Sequence, residues 1–167
     1  MRSIRLSVWV TVGVLAALLL AACGGTTGSG TGSSPAASSN ALIHTASMKV
    51  GDKTLTVLKD ASAKTLYYFT PDTATTIACT GACTGNWPPL IATSGTPTSS
   101  PALPGQLTVL NGANGNQVVY NGHPLYTYVK DGDAGDAYGQ GVGGKWFVAT
   151  ADLGAPGAPA KESPPTY

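Results

Sequence analysis

The chain has 167 residues, nine lysines and arginines against eight acidic residues, a formal net charge of +1, and only 10% charged residues. Both arginines, Arg2 and Arg5, lie in the first five residues. Without residues 1–22 the balance is seven lysines against seven aspartates and one glutamate, a formal charge of −1 with no basic patch or lysine-rich run, which speaks against capture of nucleic acid or of anionic lipid head groups.

Arg2 and Arg5 are followed by an uncharged apolar run, Leu6 to Leu20, which ends in Leu20-Ala21-Ala22-Cys23. A basic start, a short apolar stretch and small residues at the cut site mark a secretory signal, and the run is short for a membrane span. The tetrapeptide resembles the lipobox of bacterial lipoproteins, in which the cysteine thiol takes a diacylglycerol thioether. Residues 1–22 are therefore expected to be a signal peptide and Cys23 the lipidated residue, the covalent lipid being the only attached group expected and no cofactor being predicted. The expected location is extracytoplasmic, anchored at the outer face of the cell membrane, or at the outer membrane in a Gram-negative host.

Residues 23–40 are rich in Gly, Ser and Thr and read as a flexible tether reaching about 20–25 Å. Residues 41–153 are the expected β domain, and residues 154–167, with four prolines, read as a disordered tail. Within the domain the runs Thr54–Leu58, Thr65–Thr70, Leu107–Leu110, Gln117–Tyr120, Leu125–Val129 and Lys145–Ala149 carry β-branched and aromatic residues between turn-forming Gly, Asn, Asp and Pro. Asn121-Gly122 is a strong hairpin signal because both residues tolerate positive φ. Gly51-Asp52 and Asn111-Gly112 are further expected turns, and Asp60–Lys64 or the cysteine loop has room for a turn of helix.

An internal repeat organises this pattern. Leu66-Tyr67-Tyr68-Phe69-Thr70-Pro71-Asp72 and Leu125-Tyr126-Thr127-Tyr128-Val129-Lys130-Asp131 match in leucine, tyrosine, a second aromatic and aspartate. Carried on without a gap, the register sets Gly85 on Gly144 and Trp87 on Trp146, the two tryptophans after the signal. The expected fold is all-β: one pseudo-two-fold domain of two hairpin-based halves, about 54–94 and 117–153. The register also sets Cys79 on Tyr138 and Cys83 on Val142, so the second half has no cysteine pair.

The Tyr-x-aromatic-x-x-Asp motif at Tyr67, Phe69, Asp72 and at Tyr126, Tyr128, Asp131 resembles that of a family of bacterial lipoproteins described as a secreted repeat of unknown function. So do Cys79-Thr80-Gly81-Ala82-Cys83 leading into Asn86-Trp87-Pro88-Pro89-Leu90, and Asn121-Gly122-His123-Pro124-Leu125-Tyr126 leading into Gly139-Gln140-Gly141-Val142. The resemblance runs from about Leu55 to Leu153. It reinforces the fold and the exported location, and it implies no particular activity.

Each constellation has a structural reading beside a chemical one. Cys79 and Cys83 pair off once Cys23 is spent on lipid, and a disulfide closing so short a loop is worth about 2 kcal/mol. A redox pair or a metal site is the alternative. Asp131-Gly132-Asp133-Ala134-Gly135-Asp136 opens like a calcium loop, but Asp136 stands at the sixth position and Val142 at the twelfth, where glycine and glutamate belong. Asp131, Asp133, Asp136 and His123 are thus weak metal candidates and no metal site is assigned. His44 and His123 lack ligand spacing for copper. Gly139, Gly141, Gly143 and Gly144 precede a strand and do not form a phosphate cradle. The aromatics with Trp87 and Trp146 read as core in preference to a ligand groove, and Asp72 and Asp131 as acceptors for turn amides.

No nucleophile motif occurs, and no glutamate precedes Glu162. The expected function is a non-enzymatic envelope module, binding or structural, whose partners are the membrane through its lipid and an envelope protein or small ligand. A metal-handling or redox-accessory role through Cys79/Cys83 or His44/His123 is the alternative.

Overall fold

The computed structural model describes residues 41–157. The expected signal peptide, Cys23, the tether and residues 158–167 lie outside the described residues. The described chain is all-β, with eight strands, two short 3-10 turns and no α-helix. Strands β1 (Ile43–Val50) and β2 (Lys53–Asp60) form an antiparallel hairpin around Gly51-Asp52, with Gly51 at φ +60 as such a tight turn requires. β3 (Tyr67–Phe69) follows, then a 3-10 turn over Gly81–Gly85 and β4 (Ser99–Ser100), which runs parallel to the start of β1. β5 (Leu107–Gly112) and β6 (Gly115–Tyr120) make the second hairpin, β7 (His123–Pro124) returns along β6, and a second 3-10 turn, Val142–Gly144, leads into β8 (Trp146–Val148).

The three small sheets have the orders β2-β1-β4, β3-β8 and β5-β6-β7. The middle one is a ribbon between the halves, pairing Tyr67 with Val148 and Phe69 with Trp146. At its end Tyr67 and Tyr126 exchange both backbone hydrogen bonds, 2.8 and 3.0 Å, so a pseudo-two-fold axis passes between two equivalent residues.

The backbone pairing repeats about that axis. Leu58 N–H donates to the Ala149 carbonyl at 2.8 Å, and Val118 N–H donates to Leu90 at 2.8 Å. Ala149 donates back to Leu66 and Leu90 to Leu125, at 2.8 and 2.9 Å. All four bonds run between the halves, which therefore interleave. The relation is not quite uniform in sequence, because the two hairpin tips differ by one residue. In the second half Asn121 (φ +46) and Gly122 (φ +84) make a two-residue turn with both φ values positive. In the first half three residues, 61–63, close the loop: Ala63 takes φ +63 and the Asp60 carboxylate accepts the backbone N–H groups of Ser62 and Lys64.

Two apolar clusters result. One gathers Ile43, Leu58, Leu66, Val118, Tyr120 and Leu125, and the other Val57, Tyr67, Trp87, Tyr126, Trp146 and Val148. Alternation along β3 sends Tyr67 and Phe69 to the second cluster and Tyr68 to the first.

Some expectations need correction. β1 was not anticipated, since its Ala, Ser and Lys are weak strand formers; it is a strand because β2 pairs with its whole length. Leu125–Val129 bridges its neighbours at Tyr126 and turns at Val129, and it is not a ladder strand. Its backbone groups bond in turn to Val118, Tyr67, Pro88 and Asn86, crossing from segment to segment. The turn expected at Asn111-Gly112 falls two residues later, over 113–114, with Gly112 paired to Gly115. The ordered chain also continues past Leu153: the Gly154 carbonyl accepts from His123, and Pro156 lies against Gly122.

Candidate functional site

The repeated motif residues meet at the pseudo-axis. The Tyr67 hydroxyl donates to Asp131 Oδ2 at 2.6 Å, and the Tyr126 hydroxyl to Asp72 Oδ2 at 2.7 Å. Each tyrosine thus bonds the aspartate of the other half. The second carboxylate oxygen of each aspartate accepts a backbone amide, from Ala78 at 2.7 Å for Asp72 and from Tyr138 at 3.0 Å for Asp131. The turn-amide role expected of the aspartates is present, and the crossed tyrosine bonds add to it. All four side chains are buried. Burial raises both carboxyls above the ordinary carboxylate range, while the hydroxyl and amide donors pull the other way. Burial, and then the neighbouring carboxylate, push both phenols far above the usual tyrosine value.

Between these pairs the rings form a four-member stack, Phe69, Trp146, Trp87, Tyr128, in which first and second halves alternate. The two indoles lie at 3.7 Å with an interplanar angle of 1°, flanked by Phe69 at 4.3 Å and Tyr128 at 4.2 Å. Tyr67 and Tyr126 meet the indoles edge-on at 5.5 and 5.1 Å. Trp87 and Trp146 are each 5% exposed, so the indole pair is core, and half-buried Phe69 and Tyr128 pack against it. Gly139 is a close-approach glycine here: a Cβ on it would lie 2.7 Å from the Tyr67 ring and 2.9 Å from Trp87.

Cys79 and Cys83 form a disulfide across the first 3-10 turn. Cys79 is 1% exposed, whereas its repeat counterpart Tyr138 is 66% exposed, so the second half does not simply refill the buried cysteine site with an apolar group. Gly141, Gly143 and Gly144 all take positive φ and turn the chain tightly into β8.

The 131–136 loop is held from inside and from below. Asp136 Oδ2 accepts the amides of Gly132 and Asp133, both at 2.8 Å, and these bonds hold its carboxyl below the usual range. Lys59 Nζ donates to the Ala134 carbonyl at 2.7 Å and to Thr65 Oγ1 at 2.7 Å. Lys64 Nζ donates to the carbonyls of Asp131, at 2.5 Å, and Gly132, at 2.9 Å. The Thr65 hydroxyl donates to the Asp136 carbonyl. Asp131, Asp133, Asp136 and His123 are not gathered: Asp131 faces Tyr67, Asp136 caps its own loop, Asp133 is exposed and His123 lies on β7. His44 pairs with Lys59 on the first hairpin, His123 with Tyr120 on the second. Among the described residues no group of three or more His, Cys, Asp or Glu side chains converges.

Sequence reasoning missed Lys59, which is 3% exposed and whose ammonium burial lowers its pKa below the lysine value. A signal existed: Lys59 shares the alternation parity of Val57 on β2. It also missed Gln117, fully buried, with Nε2 on the Leu125 carbonyl and Oε1 accepting from Asn114, at 3.0 Å each.

A lipoprotein family model described as "Secreted repeat of unknown function" matches residues 51–91 and 108–150, half of the chain, as two copies. No curated protein and no solved structure matches. Among the described residues no helix is long and apolar enough to cross a membrane.

Proposed function

Because the chain belongs to the family of secreted repeats of unknown function, we propose that it works outside the cytoplasm as a lipid-anchored, non-enzymatic binding module. Residues 1–22 are removed in this reading, Cys23 carries the lipid, and residues 24–40 hold the β domain off the membrane. The observation that carries it is the inward commitment of the motif residues. Tyr67, Tyr126, Asp72 and Asp131 saturate one another across the pseudo-axis, and Trp87 and Trp146 stack between them. The groups best suited to acid–base work thus serve to lock two halves into one scaffold, and recognition falls to the outer loops and hairpin tips.

Mass spectrometry of the full chain recovered from membranes should find a diacylglyceryl adduct on Cys23, and Cys23→Ala should release the domain to the soluble fraction. An unmodified Cys23 in membrane-associated protein would refute the anchor. Stoichiometric copper, or ready reduction of the Cys79–Cys83 bridge at an envelope-like potential, would replace the binding module by a metal-handling or redox one.

A further inference from the structure

The pseudo-symmetry that equates the backbones fails in chemistry at one place. In the first half Lys59, Lys64 and Thr65 tie the hairpin tip to the facing 131–136 loop through the carbonyls of Asp131, Gly132, Ala134 and Asp136. Hairpin pairing identifies their counterparts. Lys59 bridges Thr65 as Val119 pairs Pro124, and Asp60 closes on Lys64 as Tyr120 pairs His123. All three donors are replaced in the second half, by Val119, His123 and Pro124.

The facing loop there is the repeat of 131–136, beginning at Asp72, and the seam is open. A cleft of about 590 Å3 separates Thr73 and Thr75 on the loop from Asn121 at the hairpin tip, with Gln106, Thr108 and Pro156 as walls. Its polar lining is hydroxyl and amide, with no lysine or arginine. Thr108 pairs with Val119 as His44 pairs with Lys59, so it stands across the ladder from the strand position that holds Lys59 in the first half.

Two further observations point to a cation. The His123 ring, 8% exposed, donates through Nε2 to the Gly154 carbonyl at 3.0 Å, because a carbonyl can only accept. Its Nδ1 is therefore an acceptor, and it is the buried side-chain atom left without a hydrogen-bond partner among the described residues. An unpaired acceptor thus sits on the residue that replaces Lys64, next in the chain to cleft-lining Gly122. The charged neighbours also differ: buried Asp131 has the Asp136 carboxylate and the Lys59 ammonium beside it, and buried Asp72 has the imidazole of His123 and no lysine.

We propose that this cleft binds a primary ammonium carried on an aliphatic chain, which engages the Thr73–Thr75 loop as Lys59 and Lys64 engage the 131–136 loop in the other half. The proposal deepens the binding-module reading and rests on it. A polyamine end and a lysine-type side chain share this chemistry.

The test is an NMR titration of the 15N-labelled full chain with 1,5-diaminopentane and with Nα-acetyl-lysine N-methylamide, against 1,5-pentanediol and the Nε-acetylated lysine compound as neutral partners. Saturable shifts at residues 73–75, 106–108 and 121–123 are expected. Affinity for the neutral partners should be lower by about tenfold or more, the size of one charge-assisted hydrogen bond. Preference between the two amines identifies the source, free amine or side chain. His123→Lys supplies the ammonium from the chain itself and should weaken binding by a similar factor. Thr108 is exposed, so Thr108→Arg and Thr108→Glu decide the matter should His123→Lys fail to fold: arginine should weaken amine binding and glutamate strengthen it. Equal binding of amines and neutral partners, no saturable shift, or indifference to both Thr108 changes overturns the proposal. Saturable binding at another face overturns the cleft and leaves the binding module standing, whereas chemical conversion of the amine overturns both.

Discussion

The two halves share their backbone pairing and diverge at the hairpin tips. About the pseudo-axis the bonds of Leu58 with Ala149 and Val118 with Leu90 have the same length, and the ring stack alternates between halves. At the tips one half closes with two lysines and a threonine and the other with valine, histidine and proline around a cleft. The difference has a physical cause. Residues near the axis contact their own counterparts, so a change in one repeat is felt by the other. The tips contact loops that are not their counterparts, and each is free to change alone. Constraint is concentrated where the halves touch, and specialisation where they part.

The sharpest test of equivalence at the axis is the indole pair. Trp87→Ala and Trp146→Ala should each cost about 3–5 kcal/mol, as expected for a buried aromatic, measured by urea unfolding. The losses should be equal, because each indole has one indole, one flanking ring and one edge-on tyrosine. In the double variant the cost should fall short of the sum, since both changes open one shared space. A wild-type midpoint for either single variant would show that the stack is not a symmetric core.

The crossed tyrosines should show a smaller and unequal effect. Tyr67→Phe and Tyr126→Phe each leave a buried carboxylate oxygen without its hydroxyl donor, a loss of about 1–3 kcal/mol. Tyr67 should be the costlier, because its hydroxyl also accepts the Gly139 amide at 3.2 Å, which the change leaves stranded. The corresponding neighbour of Tyr126, Gln117, already donates to the Leu125 carbonyl. Equal losses in paired unfolding curves would mean that the Gly139 contact contributes nothing.

Much of this was legible in the sequence. The 59-residue register carried the duplication, the tryptophan pairing and the all-β fold, because identities at fixed spacing report a shared backbone. Asn121-Gly122 marked its turn through φ preference, and the C-x-x-x-C spacing marked the disulfide, both local signals. What was hidden is non-local. Nothing in the spacing of Tyr67 and Asp72 says that each bonds the other half, since a crossed and an uncrossed pairing have the same sequence. Lys59 was passed over because the carbonyl that receives it lies on a loop 75 residues away in sequence. β1 escaped because its strand character comes from β2 and not from its own side chains.

The smallest expected effect separates the halves by charge. Asp72 and Asp131 have folded-state pKa values raised mainly by burial, so the folded chain holds their protons to higher pH than the unfolded chain does. Their contribution to stability is fully present below the ordinary carboxylate range and is lost as pH rises through the raised values. Lys59 has the opposite sign. Its folded-state pKa is lowered by burial, so the unfolded chain binds the proton more tightly and stability grows as pH climbs from the lowered value toward that of a free lysine. In thermal unfolding the aspartates should therefore raise the midpoint in mild acid over that at neutrality, with His123, whose folded-state pKa is lowered by burial, acting in the opposite sense, and Lys59 should give a second rise on the alkaline side. Asp72→Asn and Asp131→Asn, which keep an acceptor for the tyrosine, should each flatten the acid limb, because each half supplies one aspartate. Lys59→Met should abolish the alkaline limb by itself, because the equivalent residue in the other half is Val119. An alkaline rise that survives Lys59→Met would place its origin outside the lysine-held seam and remove this contrast between the halves.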